Sequence, residues 1–191
     1  EEMWGGLALT LFIFATTCLI GFPLAICLAL LRRSELPWIS RTTGLIIDAV
    51  RSLPLVSILF MFAVVLPFTL PQWLQGDKLY RVILGSALFF AAYQAEIVRG
   101  GMQGVPRGQE EAAMSLGLGY WQRIGYILLP QAMRNALPAT INQFVISFKE
   151  TSLVIIVGFF EILASGNAAY GTGEWTFAYV EVYAFIAFIY F

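Results

Sequence analysis

From Met3 to Leu31 the chain carries no charged residue, and the apolar run stops at Arg32 and Arg33. A stretch of that length crosses a bilayer with some tilt, so the pattern predicts a first span from about Leu7 to Leu31. It is too long for a signal-peptide core and lacks a basic leading segment. A second span is expected from about Thr43 to Leu66, with Asp48, Arg51 and Pro54 in its first half, and a third from about Val82 to Val98. The fourth is expected from about Leu137 to Phe160 with Lys149 and Glu150 near its middle, and the fifth from near Trp175 to Phe191. Pro and Gly punctuate the connections at 66–80, 100–138 and 165–174. Glu1 is no initiator and the last span is still apolar at Phe191, so the sequence reads as part of a longer protein.

Composition sharpens this reading. Hydrophobic residues make up 59% of the 191 positions and charged residues 12%, roughly half the charged share of an ordinary soluble domain. An all-α integral membrane protein follows, carrying five spans in one transmembrane domain, 1–191. Eleven Lys and Arg against twelve Asp and Glu leave a net charge of −1, so no global basic excess exists to hold nucleic acid. Histidine is absent, and Cys18 and Cys27 are the two cysteines, which removes His-based acid–base chemistry, His-rich metal sites and a disulfide framework. No metal or cofactor site is expected in this chain.

If the spans alternate, Arg32, Arg33, Arg41, Arg99, Arg107, Arg123 and Arg134 share one side, with Lys78 and Arg81 opposite. The positive-inside rule puts the 100–136 loop in the cytoplasm and Glu1 outside. Trp4, Trp38, Trp73 and Trp175 fall near span ends as interfacial anchors. The loop is too polar to span and too rich in helix formers to be a linker. Gly100, Gly104 and Gly108 recur every fourth residue with polar residues between, which suits turns better than a membrane dimer face. Gln109 to Leu118 should form a short helix with Ala112, Ala113, Leu116 and Trp121 on its apolar side and Glu110 and Glu111 at its start.

Charges within the bilayer need partners or a wet cavity. Asn142, Lys149, Thr151 and Ser152 fall near one stripe of the fourth span. Lys149 or Arg51 could meet an anionic group in such a cavity, and Glu150, Asn142 and Gln94 a cationic one. A structural role, in which these charges simply hold helices together, is as good a reading for each residue taken singly. Glu96 and Arg99 are expected to form a surface ion pair.

The loop carries Glu111-Ala112-Ala113, then Gly117, Ile127 and Leu129-Pro130. This resembles the EAA loop of ABC-importer permeases. Arg51-Ser52-Leu53-Pro54-Leu55, the run Ala92 to Gly101, Pro106-Arg107-Gly108-Gln109, Leu129-Pro130-Gln131-Ala132 and Phe148 to Leu153 are similar to the polar amino-acid uptake permeases of the histidine/glutamine/arginine type. Glu2-Met3-Trp4-Gly5-Gly6-Leu7 looks like the general L-amino-acid branch of that family.

The resemblance implies a bacterial inner-membrane permease that imports polar or general L-amino acids. It implies ATPase coupling through Gln109, Glu110, Glu111, Ala112, Ala113 and Gly117, with a substrate path along Arg51, Gln94, Asn142, Lys149, Glu150, Thr151 and Ser152. The partners it implies are an ABC ATPase dimer holding ATP and Mg, a second permease subunit, identical or homologous, and an extracytoplasmic amino-acid-binding protein, all within membrane lipid. The alternatives are a membrane-embedded hydrolase using carboxylates such as Asp48 and Glu150, and a stand-alone channel or secondary transporter.

Overall fold

The computed structural model describes residues 5–173 and 177–191. Helices account for nearly all of them: α1 Gly6–Arg32, α2 Pro37–Ser52, α3 Leu55–Thr69, α4 Lys78–Gln103, α5 Arg107–Ser115, α6 Tyr120–Val157, α7 Ile162–Tyr170 and α8 Tyr179–Tyr190. Trp4, Trp175 and the Glu2 to Trp4 part of the amino-terminal resemblance lie outside the described residues, as does the expected start of the fifth span.

Several boundaries differ from those read off the sequence. The expected second span is broken at Leu53 and Pro54, because the ring of Pro54 lacks an N–H and disfavours helical geometry before it. The third helix is longer at both ends than 82–98. The expected 100–136 loop shrinks to short turns: α4 runs to Gln103, α5 starts at Arg107 and α6 already begins at Tyr120. Beyond Val157 the expected fourth span gives way to Gly158 in the left-handed region at φ +83°. The last apolar stretch comprises α7 and α8.

Pro67 and Pro130 are accommodated by local unwinding, whereas Pro23 and Pro138 sit inside regular α-helix. Met61–Val65 winds as a wide π-type turn ahead of Pro67, and Arg123–Leu128 does so ahead of Pro130. Pro67 cannot donate to the carbonyl four residues back, that of Ala63. Arg81 Nη2 donates to that oxygen at 3.3 Å instead, while its Nη1 holds the carbonyls of Gln75 and Gly76.

The described residues fall into two compact units. The arginine-rich unit comprises Gly21–Ser52 and Leu88–Phe144. Its core is built largely of small side chains: Ala25 and Ala29 from α1, Ile47 from α2, Ala91, Ala95, Val98 and Met102 from α4, and Leu128 and Ala132 from α6. The α4 residues recur at helical spacing, so one face is a smooth stripe. Gly101 touches the backbone carbonyl of Ala132 so closely that no side chain fits, the close approach that small residues permit between membrane helices.

The terminal unit comprises Glu1–Ile20, Leu53–Ala87 and Val145–Phe191. Leu9, Ile13, Leu55, Ile58, Leu59, Val82, Ile83, Val154 and Ile162 are buried in it. Gly166 on α7 lies directly against Ile186 and Val182 of α8.

Candidate functional site

In the arginine-rich unit the acidic loop helix α5 starts after Pro106, whose carbonyl accepts the N–H of Gln109 at 3.0 Å. It ends in a Schellman motif: Leu118 N–H donates to the Ala113 carbonyl at 3.1 Å and Gly117 N–H to that of Met114 at 2.9 Å. Gly117 has φ +78°, and nothing lies near the position of a β-carbon. The glycine is therefore required by backbone conformation and not by space.

Among the residues expected to form the apolar side of α5, Ala113 is buried, whereas Ala112, Leu116 and Trp121 are exposed. A nine-residue helix seated on one alanine cannot bury both flanks. Met114, Leu116 and Trp121 are 57%, 81% and 75% exposed, an apolar surface flanked by Glu111. Glu110 turns inward to an ion pair with Arg33, and Gln109 Oε1 accepts from Gln131 Nε2 at 3.3 Å. Of the adjacent glutamates, Glu111 alone is exposed.

Glu96 is not one half of a surface pair. Its side chain is 14% exposed and receives Arg99 Nη2 at 2.7 Å, Arg32 Nη1 at 3.1 Å and Arg51 Nη1 at 3.9 Å. Arg32 also grips Asp48 with both terminal nitrogens, at 3.1 and 3.2 Å. Arg51 sits 5.2 Å over the Tyr93 ring, and Tyr93 Oη donates to the Arg51 carbonyl at 3.2 Å. The expected substrate arginine is thus committed to a charge network. Pro54 places it in the last turn of α2, where a cation suits the helix dipole.

Gln94 is fully buried in the same unit. Its Nε2 donates to Thr140 Oγ1 at 2.8 Å, and its Oε1 has no partner among the described residues. Asn142 is exposed.

In the terminal unit Lys149 and Glu150 are adjacent in sequence but face differently. Lys149 is exposed, whereas Glu150 lines a narrow hollow with Thr17, Ser86, Ser147 and Thr151, closed by Ile13 and Leu55. Consecutive helical residues diverge by about 100°, so the two do not form one clamp. Thr17 Oγ1 is buried there without a partner among the described residues. Thr151 Oγ1 donates to the Phe148 carbonyl at 2.6 Å, and Ser152 Oγ to that of Lys149 at 2.8 Å. From Thr151 the backbone tightens to 3₁₀ winding as far as Val157, a change of pitch often found at hinges.

Sequence reasoning missed Glu161. It is fully buried and caps α7, accepting from Ala164 N–H at 2.8 Å, Leu163 N–H at 2.9 Å and Tyr190 Oη at 3.1 Å. The signal was a lone acidic residue opening an apolar run, an N-cap pattern.

The family described as "Binding-protein-dependent transport system inner membrane component" matches residues 21–191. This chain belongs to that family. It is 43% identical over 189 residues to "Inner membrane amino-acid ABC transporter permease protein YhdY" of Escherichia coli (strain K12), covering 99% of this chain and 52% of the relative. It is 39% identical to "Glutamate/glutamine/aspartate/asparagine transport system permease protein BztC" of Rhodobacter capsulatus, covering all of this chain and 44% of that one. The chain therefore spans about half the length of these two relatives. With "Glutamate/aspartate import permease protein GltK" of Escherichia coli O6:H1 it shares 33% identity over 97% of this chain and 84% of the relative.

Among solved structures, "Crystal structure of an amino acid ABC transporter with histidines" matches with a TM-score of 0.80 at 31% identity, over 97% of this chain and 84% of the other. An inward-facing MetNI methionine ABC transporter matches with a TM-score of 0.71 at 22% identity, which speaks for the fold alone. The family member is an all-α, multi-pass permease component of the inner membrane, as the sequence motifs implied.

Proposed function

We propose that this chain is the translocating subunit of an ATP-driven amino-acid importer, with α5 as the element that docks on a separate ATPase. The carrying observation is the exposed face of α5: Glu111, Ala112, Met114 and Leu116 stand free at the end of a helix that Gly117 turns sharply. A folded, solvent-facing apolar and acidic helix of this kind is a surface for a protein partner.

The chain has two lysines, which follow Asp77 and Phe148, so no G-x-x-x-x-G-K-[ST] phosphate loop is present. ATP and Mg belong to the partner ATPase dimer in this reading. A second permease subunit and an extracytoplasmic binding protein complete the assembly. The relatives named for amino-acid transport support the substrate class.

Within the chain, the Glu150 hollow is the candidate point of contact for a substrate ammonium. A carboxylate, three hydroxyls and the unpartnered Thr17 oxygen supply acceptors there. Lys149, Asn142 and Ser152 belong to the more open part of α6, where Lys149 can meet a carboxylate in the assembled path.

Purification with the ATPase tests the docking role. Gly117→Leu forces a branched side chain into the left-handed region and should cut substrate-stimulated ATP hydrolysis about tenfold, or about 1.4 kcal/mol of coupling, while leaving insertion intact. Normal stimulation in that variant would defeat the docking role, and a stand-alone channel would show no ATPase stimulation at all. Glu150→Gln should abolish amino-acid uptake per assembled complex while basal ATP hydrolysis persists; unchanged uptake would remove Glu150 from the path.

A further inference from the structure

We infer that the hollow between the end of α1, α2 and Arg99 is a binding site for the headgroup of an anionic phospholipid. It has a volume of about 480 Å³ and is lined by Arg32, Arg41 and Arg99 with Ser40, Gly44, Leu45 and Asp48. Three guanidinium groups face one carboxylate, and that carboxylate is held from one side by both nitrogens of Arg32. Arg99 leans on Glu96. Arg41 is exposed and has no ion-pair partner among the described residues. A phosphodiester entering the hollow finds Arg41 unspent, together with the outward N–H groups of Arg32 and Arg99.

Two features point to an anionic lipid, one setting it apart from a free anion and the other from a zwitterionic lipid. The first is the wall. Leu45 borders the hollow and is 72% exposed, and Ile46 and Trp38 on the same helix are 48% and 84% exposed, so the polar hollow opens onto an apolar, Trp-bearing helix. Such a helix lies at the level where headgroups meet acyl chains. The second is the sign. Basic pockets among membrane helices are where anionic headgroups collect.

The floor is specialised too. A β-carbon at Gly44 would lie 3.6 Å from Arg32 Cζ, so the Arg32 guanidinium packs against the bare backbone of α2 and a larger side chain there would crowd the hollow. Ser40 Oγ is already donated to the Arg32 carbonyl at 2.7 Å, which ties the start of α2 to the end of α1 and fixes the mouth of the hollow.

The test is lipid retention by the purified full-length protein, read by native mass spectrometry after exchange into mixed phosphatidylglycerol and phosphatidylcholine nanodiscs. Phosphatidylglycerol should be retained preferentially. Arg41→Gln should weaken that preference about fivefold, Arg41→Lys should keep most of it, and Gly44→Leu should abolish it by filling the hollow without changing charge. Arg134→Gln, on exposed α6 surface away from the hollow, should change it less than twofold. Equal losses for Arg41→Gln and Arg134→Gln would mean diffuse attraction and overturn the site. Displacement of the lipid by inorganic phosphate at matched concentration would assign the hollow to a free anion and overturn the lipid reading. If Gly44→Leu does not fold, the Arg41 pair decides alone, since Arg41 is exposed and forms no ion pair among the described residues.

Discussion

Glu96, whose side chain is 14% exposed, and Glu161, fully buried, lie one in each compact unit and are stabilised by different means. Glu96 is held by charge: Arg32, Arg51 and Arg99 converge on it from three helices, with Asp48 sharing Arg32 and Arg51. Glu161 is held by dipoles: two backbone N–H groups at the start of α7 and one phenol hydroxyl, with no cation bonded to it among the described residues. The first device suits the unit where arginines are plentiful and their stems can reach water. The second suits an apolar unit, where the orphan N–H groups of a helix start need an acceptor in any case. A buried carboxylate in a membrane protein thus does not by itself announce transport, because either kind of satisfaction is structural.

The comparison breaks most visibly at Glu96. Glu96→Gln removes the charge that three arginines share and should destabilise the protein by about 2–3 kcal/mol, less than a fully buried pair because the arginines are partly exposed; its denaturation in detergent is the measurement. Glu161→Gln keeps one acceptor oxygen but offers an amide where a donor is not wanted, and should cost about 1–3 kcal/mol. A larger loss at Glu161 than at Glu96 would reverse the reading. Salt sharpens the contrast further. Raising ionic strength from about 0.1 M to 1 M shortens the screening length from about 10 Å to 3 Å, so amide exchange should quicken near the partly exposed Arg32, Arg51 and Arg99 and stay unchanged around the fully buried Glu161. The smallest effect belongs to Tyr93→Phe. It removes one 3.2 Å hydrogen bond and keeps the ring beneath Arg51, so the loss should stay under about 1 kcal/mol.

Much of the molecule could be read from the chain alone. The uncharged run to Leu31 required a spanning helix, and α1 occupies Gly6–Arg32. Glu111-Ala112-Ala113 with Gly117 marked a short helix and its turn, and the Schellman motif supplies the physical reason for that glycine. Hydropathy and motif spacing carry this information because they act within a few residues. They also carried the family, since the motifs lie at fixed intervals along nearly the whole chain.

Other features depend on which faces meet. The second apolar run looked like one span, yet Pro54 divides it and sends Arg51 to Glu96. Lys149 and Glu150 are neighbours in sequence, but one is exposed and the other lines the Thr17 and Ser147 hollow. Glu96 looked like half of a surface pair until helices α1 and α2 brought two further arginines to it. Sequence determined that this chain is a helical membrane protein with an acidic loop helix, because periodicity and composition are local properties. Tertiary structure decided which charges are satisfied, exposed or left with capacity to bind, because beyond local pairs such as Glu96–Arg99 an ion's partners stand far along the chain: 16 residues from Arg32 to Asp48 and 77 from Arg33 to Glu110.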